Sequence, residues 1–232
     1  MSRRIGLLGG TFDPLHAGHL AAAEAARVGL RLDRIVIMPS LSPPHRPTRP
    51  VASAFHRFAM AALAVANRPG YAVSDLELQR ASPSYTSETL SRLHAEGYDP
   101  AHLFFIVGAD AFADIATWHD YPAILNQCHF VVVSRPGFRS SDLKTRLPAL
   151  QDLMQDAPRA GVADPALPSI LLIDAATPDV SSSRIRALLG SGESVTGLLP
   201  QAVEDHARTH ELYVDSRSSV DSSRAVQRVQ HE

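Results

Sequence analysis

Apolar residues along this chain of 232 fall into short runs and longer periodic stretches, and their order predicts the fold. Residues 5–8 form an apolar run closed by Gly9-Gly10, and residues 20–30 form an alanine-rich, helix-prone stretch beyond a polar, glycine-containing loop. That reads as strand, loop, helix. A second strand over residues 34–38 stops at Pro39, and a proline-rich loop (Pro43, Pro44, Pro47, Pro50) leads into a helix over about 53–67. Residues 103–107, 130–133 and 170–173 are fully apolar, the pattern of parallel strands buried on both faces. Helical segments lie between the strands, notably residues 87–96. The alternation predicts an α/β fold: a parallel sheet covered by helices on both faces, with ligands beyond the carboxyl ends of its strands.

Two segments fit that scheme poorly. Residues 138–168 carry scattered charges, several prolines and one weak helical pattern, and are read as a surface insertion. Residues 216–232 are polar, rich in serine and charge, and lack an apolar face, so a disordered tail is expected after a single domain over 1–215. Composition supports one domain: 45% of the residues are apolar and 20% charged, enough for one well-cored unit and too little for two of ordinary size.

Charge narrows the partners. Lysine and arginine total 22 against 24 acidic residues, so the strong positive field of a nucleic-acid binder is missing and an anionic ligand must be met by local charge. The single cysteine, Cys128, can form neither an internal disulfide nor a cysteine-based metal site, and it suits a cytoplasmic location. No stretch approaches the roughly 20 apolar residues that span a bilayer, so no membrane partner is expected. The apolar run after Met1-Ser2-Arg3-Arg4 is too short for a signal peptide.

The chemistry concentrates in Gly9-Gly10-Thr11-Phe12-Asp13-Pro14-Leu15-His16-Ala17-Gly18-His19, between the first strand and the first helix. Glycines let backbone amides approach a phosphate, and the helix start turns its free N–H groups and partial positive charge toward the same point. A polyphosphate is the natural guest. His16 and His19, three apart, can face one side and donate to phosphate oxygens. Alone such a pair is more often structural, and as a zinc site it lacks a third ligand. The loop has no Gly-x-Gly-x-x-Gly, and the second strand ends at Met38-Pro39-Ser40 without an acidic residue for a ribose. It is not a Gly-x-x-x-x-Gly-Lys-Ser/Thr loop either, which excludes both dehydrogenase-type and P-loop sites.

What remains closely resembles the signature loop of the nucleotidyltransferase superfamily, which shares its His-x-Gly-His element with the class I aminoacyl-tRNA synthetases. Pro43-Pro44-His45-Arg46, Ser84-Tyr85-Thr86-Ser87-Glu88-Thr89-Leu90, Phe105-Ile106-Val107-Gly108-Ala109-Asp110, Trp118-His119, Arg135-Pro136-Gly137 and Ser181-Ser182-Ser183-Arg184-Ile185-Arg186 follow in the order seen in bacterial nicotinate mononucleotide adenylyltransferases. The ending from Leu199-Pro200 to Leu212-Tyr213 is similar too. The resemblance covers most of residues 4–214. Two positions depart from the family pattern: Arg46 stands where lysine is usual, and Ser183-Arg184 replaces a threonine-containing version.

The resemblance implies a Rossmann-like domain in which a mononucleotide's phosphate attacks the α-phosphorus of ATP and pyrophosphate leaves, giving nicotinate adenine dinucleotide for NAD biosynthesis. It implies ATP contacts from Gly9, Gly10, Thr11, Phe12, His16, His19, Gly108, Asp110, Ser181, Ser182 and Arg186, with His16, His19 and Arg186 stabilising charge in the reaction. Arg46, Tyr85, Thr86, Trp118, His119 and Arg135 are expected on the mononucleotide side. Mg²⁺ is expected to bridge ATP oxygens with few or no protein ligands of its own.

Several positions also have plainer readings. Ser181-Ser182 can be a simple helix cap, Asp110 a solvated loop carboxylate, and Trp118 a packed core residue rather than a shelf for the pyridine ring. The rivals in function are a transferase acting on pantetheine phosphate, a cytidylyltransferase, a tRNA synthetase, which would need a longer chain, and a nucleotide sensor without turnover. The sequence leaves a homo-oligomer open.

Overall fold

Seven strands form one sheet in the order β3-β2-β1-β4-β5-β7-β6, and every neighbouring pair is parallel. The computed structural model describes residues 3–42, 50–79, 83–157 and 168–214. In chain order the elements are β1 (Ile5–Gly10), α1 (Ala17–Gly29), β2 (Arg34–Pro39), α2 (Ala54–Val65), β3 (Tyr71–Val73), α3 (Thr86–Ala95) and β4 (Leu103–Gly108). They continue with α4 (Ala109–Phe112), β5 (His129–Val133), α5 (Leu143–Arg146), β6 (Met154–Asp156), β7 (Ile170–Ile173), α6 (Ser182–Gly190) and α7 (Gln201–Thr209). The parallel sheet and the helices flanking it are those of an α/β fold.

Alternate residues of each central strand feed two separate cores. Leu8, Ile106, Val131 and Leu171 point to one face, which is covered by Leu20, Ala23 and Ala26 of α1, Met60 and Ala61 of α2, and Ile185 of α6. Leu7, Phe105, Val132 and Leu172 point to the other, where they meet Leu90 of α3, Phe112 of α4 and Leu143 of α5. A strand buried on both faces cannot alternate apolar with polar residues, which is why β4, β5 and β7 read as continuous apolar runs. β5 begins one residue earlier than its apolar run, at His129. That buried ring is satisfied by Ser169 Oγ, 3.1 Å from Nδ1, and by the Ala101 carbonyl, 3.3 Å from Nε2.

Residues 138–168 depart from the surface insertion expected of them. The described part supplies β6, an edge strand paired with β7, and buries Leu143, Leu150 and Met154 in the second core. The charges and prolines between these residues hide a sparse apolar set that docks under the sheet edge. Pro43-Pro44-His45-Arg46 and the tail over 216–232 lie outside the described residues.

The strand order turns back at β1 and β4: after β1 the chain builds toward β3 on one side, and from β4 toward β6 on the other. The carboxyl ends of β1 and β4 flank the crevice where open α/β sheets take their ligands.

Candidate functional site

The loop from β1 to α1 lies over that crevice. Phe12 adopts a left-handed φ of 50°, and the Asp13-Pro14 bond is cis. Phe12 itself is turned into the first core and is only 2% exposed. Its ring meets the edge of His19 at 5.1 Å, so its described contacts support the histidine from below.

His16 is the N-cap residue of α1 and His19 lies three residues on, so the helix start brings both imidazoles to one side. The rings stack at 3.7 Å with 23° between their planes. The His16 backbone N–H donates to His19 Nδ1 at 3.2 Å. An Nδ1 that accepts carries no proton, so in the neutral ring the proton sits on Nε2. His16 is buried, and its Nδ1 has no assigned hydrogen-bond partner among the described residues. Burial, with a smaller contribution from the positive charge of Arg135, pushes its pKa down to about 4. Near neutral pH His16 is therefore an uncharged imidazole.

At the end of β4, Gly108 caps α4 and Asp110 lies in the first turn of that short helix. A Cβ on Gly108 would lie 2.5 Å from Asp110 Oδ1 and 2.8 Å from Arg135 Nε, so the position admits only glycine without a shift of that pair. Arg135, which follows β5, lies 3.4 Å from Asp110 through Nε. Beyond it a groove of about 470 Å³ opens along the carboxyl ends of β5 and β7, lined by Ser134, Arg135, Pro136, Asp174, Ala175 and Thr177. Gly108, Asp110 and Arg135 thus meet at the end of β4, and the charge of Arg135 reaches His16, on which His19 stacks.

α6 is tied to the same loop. Ser181 caps the helix by accepting from the Arg184 N–H, and Ser182 Oγ donates to the Pro14 carbonyl at 3.0 Å. Arg186 donates to the Asp13 carbonyl at 2.8 Å. These groups make protein contacts that shape the loop, in addition to any ligand they meet.

A second group stands at the start of α3. Tyr85 is its N-cap residue and makes no side-chain cap, so the first N–H groups of the helix are not taken up by that ring. The Tyr85 ring stacks on His119 at 4.3 Å, and Ser87 Oγ lies 3.1 Å from His119 Nδ1. Trp118 packs edge-on against Phe105 and Phe130, at 6.1 and 6.4 Å, and is partly buried at the rim of the second core. Trp118 is thus a packed side chain that keeps part of its surface exposed.

The comparisons with known proteins decide the family. Residues 7–188 match the family model described as cytidylyltransferase-like. The chain belongs to the cytidylyltransferase-like family. It is 42% identical over 216 residues to a protein of Citrifermentans bemidjiense named "Probable nicotinate-nucleotide adenylyltransferase", covering 92% of this chain and 100% of that one. A Roseiflexus protein of the same name is also 42% identical, over 91% of this chain and 98% of its own length. Among solved structures, the nicotinic acid mononucleotide adenylyltransferase of Plasmodium falciparum complexed with NaAD matches with a TM-score of 0.68 at 18% identity. That match covers 91% of this chain and 98% of the other, and at so low an identity it speaks for the fold.

Three residues of this cytidylyltransferase-like chain support the loop in ways the sequence did not reveal: Arg57 lies in none of the motifs, and Asp13 and Tyr213 lie in motifs but were given no role. Arg57, on the buried stripe of α2, donates through Nη1 to the Thr11 carbonyl at 2.6 Å and to the Ser40 carbonyl at 2.7 Å. Asp13 accepts from the N–H groups of Val51 and Ala52, and Tyr213 donates its hydroxyl to Asp13 Oδ1 at 2.9 Å. For Arg57 the signal was a charge in register with Met60, Ala61 and Ala64, where an amphipathic helix should be apolar.

Proposed function

We propose that the protein is an adenylyltransferase that moves AMP from ATP to nicotinate mononucleotide, giving nicotinate adenine dinucleotide and pyrophosphate. The observation that carries this reading is the stacked His16–His19 pair at the start of α1, beside the switch point of the sheet. Relatives named for that activity cover nearly the whole chain and support it.

A phosphate oxygen of the mononucleotide attacks the α-phosphorus of ATP, and the bond from that phosphorus to the β-phosphate oxygen breaks. The nucleophile is already anionic near neutral pH, so no general base is required. The protein's part is alignment and stabilisation of charge on the transferring and leaving groups. His19, with its proton on Nε2, donates to the α-phosphate oxygens, and neutral His16 beside it adds a second imidazole. Gly9 and Gly10 at the end of β1 and Thr11 just beyond offer backbone beside the start of α1, with the polyphosphate between them and Ser181, Ser182 and Arg186. The groove beyond Arg135, with Gly108 and Asp110 at its edge, takes the nucleoside of ATP. Tyr85, Thr86, Trp118 and His119 face the pyridine nucleotide, with Arg46 and Arg135 for its phosphate.

Mg²⁺ fits as a partner carried on the phosphates. Among the described residues the Asp13 carboxylate is engaged by Val51, Ala52 and Tyr213, and Asp110 faces Arg135, so neither forms a dedicated carboxylate cage. Bound there, the ion would neutralise oxygen charge on the leaving pyrophosphate. Among the described residues no helix is long and apolar enough to cross a membrane. A cytoplasmic location completes the reading.

The test is pyrophosphate release with ATP and Mg²⁺ over a panel of nicotinate mononucleotide, nicotinamide mononucleotide and phosphopantetheine, with CTP in a parallel arm. Turnover is expected with ATP and the pyridine mononucleotides. Release with phosphopantetheine alone, or with CTP in preference to ATP, would move the protein to one of the rival transferases, and no release would leave a nucleotide sensor.

A further inference from the structure

Behind the nucleotide loop, away from His16 and His19, three histidines meet where α2 packs on α7. One nitrogen of each of His56, His206 and His210 lies within 4.8 Å of the other two. His56 Nδ1 is 3.1 Å from His206 Nε2, and the rings of His206 and His210 lie 4.5 Å apart. His206 and His210 are four residues apart at the end of α7, the spacing that turns two side chains to one face. His56 reaches them from the first turn of α2.

We infer that His56, His206 and His210 form a binding site for one divalent transition-metal ion of the zinc type, clasping α2 to α7. Three imidazoles with no carboxylate among them suit zinc rather than magnesium or calcium, which take oxygen ligands. Zinc–nitrogen bonds of about 2.0–2.1 Å at tetrahedral angles set the ligand nitrogens about 3.3 Å apart, close to the His56–His206 separation. The His210 side chain is exposed, so a rotamer change can bring its ring in and leave the fourth position to water.

The site's position gives it a consequence. His56 adjoins Arg57, which holds the Thr11 carbonyl, and three residues beyond His210 stands Tyr213, which holds Asp13. An ion here would brace both supports of the nucleotide loop.

The experiment uses the full-length chain without an affinity tag, stripped with chelator and titrated calorimetrically with Zn²⁺. One ion per chain is expected, with the visible absorption of tetrahedral Co²⁺ when cobalt replaces zinc. The melting temperature should rise by about 5 °C or more at a free metal concentration about 100 times Kd, and Mg²⁺ should not reproduce it. His206→Ala and His210→Gln should each weaken binding by about 100-fold or more; the exposed position of His210 makes the second variant safe for folding. The absence of one-to-one binding, or Zn²⁺ affinity unchanged in both variants, would overturn the site.

Discussion

Arg57 Nη1 donates to the carbonyl oxygen of Thr11 at 2.6 Å, joining the apolar stripe of α2 to the loop that carries both histidines. Burial pushes the guanidinium pKa down and the Asp13 carboxylate pulls it up. Arg57→Met would fill the space yet leave the Thr11 and Ser40 carbonyls unpaired, and each buried unsatisfied group costs about 1–3 kcal/mol. A loss of about 3 kcal/mol is expected, read in urea as a lower midpoint with an unchanged slope. Arg57→Lys should fall between, because an ammonium cannot reproduce the planar fork. Stability within about 1 kcal/mol of the parent in Arg57→Met would mean that the loop holds itself.

His16 sets a pH dependence whose sign follows from its lowered pKa. An unfolded histidine titrates near 6.5 and the folded one near 4. Between those values the unfolded chain binds a proton that the folded chain does not, so stability is lost as pH falls from about 6.5 to about 4 and levels off below. The gap corresponds to about 3 kcal/mol at most. Glu24, held near 2 chiefly by its hydrogen bond to Arg27, loses its own contribution in a lower window, from about 4.5 to about 2. The check is unfolding free energy at pH 7, 5.5 and 4.5 for the parent and His16→Asn, since His206 also titrates low and only the difference isolates His16. Parallel curves would show that His16 is not held neutral.

The central elements were legible because their burial leaves an unmistakable pattern. β7 coincides with its apolar run, and β4 and β2 extend theirs by one residue. β3 and β6, three residues each at the two sheet edges, gave no such signal: Tyr71–Val73 is half-buried, and Met154–Asp156 has one buried residue followed by two exposed ones. α7 escaped notice because only Val203 and Ala207 of its nine residues are buried. The loop of Thr11, His16 and His19 could be found from glycine and histidine spacing, since that chemistry is local. Its supports could not, because Asp13 and Tyr213 are 200 residues apart in sequence and meet only in the fold.

His19 should matter to the rate more than to the fold. Its Nδ1 accepts from the His16 N–H, so in the neutral ring the proton lies on Nε2. His19→Ala is expected to lower kcat by roughly 10²-fold or more, the scale for losing one donor aimed at developing charge. The lost local hydrogen bond should cost only about 1 kcal/mol of stability. Pyrophosphate release under saturating ATP and mononucleotide measures the first, and a melting curve the second. A folded variant with the parent's kcat would take His19 out of the chemistry.

The choice between nicotinate and nicotinamide mononucleotide should be made at the start of α3. Tyr85 gives the helix no side-chain cap, so backbone N–H groups and the positive end of the helix dipole near Thr86 are available to the pyridine substituent. A carboxylate accepts from two donors, whereas the amide's NH₂ would face a donor and leave it unpaired, at about 1–3 kcal/mol. Glu88, in the same first turn, acts against an anion and sets a limit on the preference. The expected outcome is a kcat/KM for nicotinate mononucleotide roughly ten- to a hundredfold above that for the amide, at equal ATP and Mg²⁺. Glu88→Gln should widen that ratio, because it removes the opposing charge and leaves the donors in place. Equal values for the two substrates, or a ratio that narrows in Glu88→Gln, would show that the start of α3 does not read the substituent.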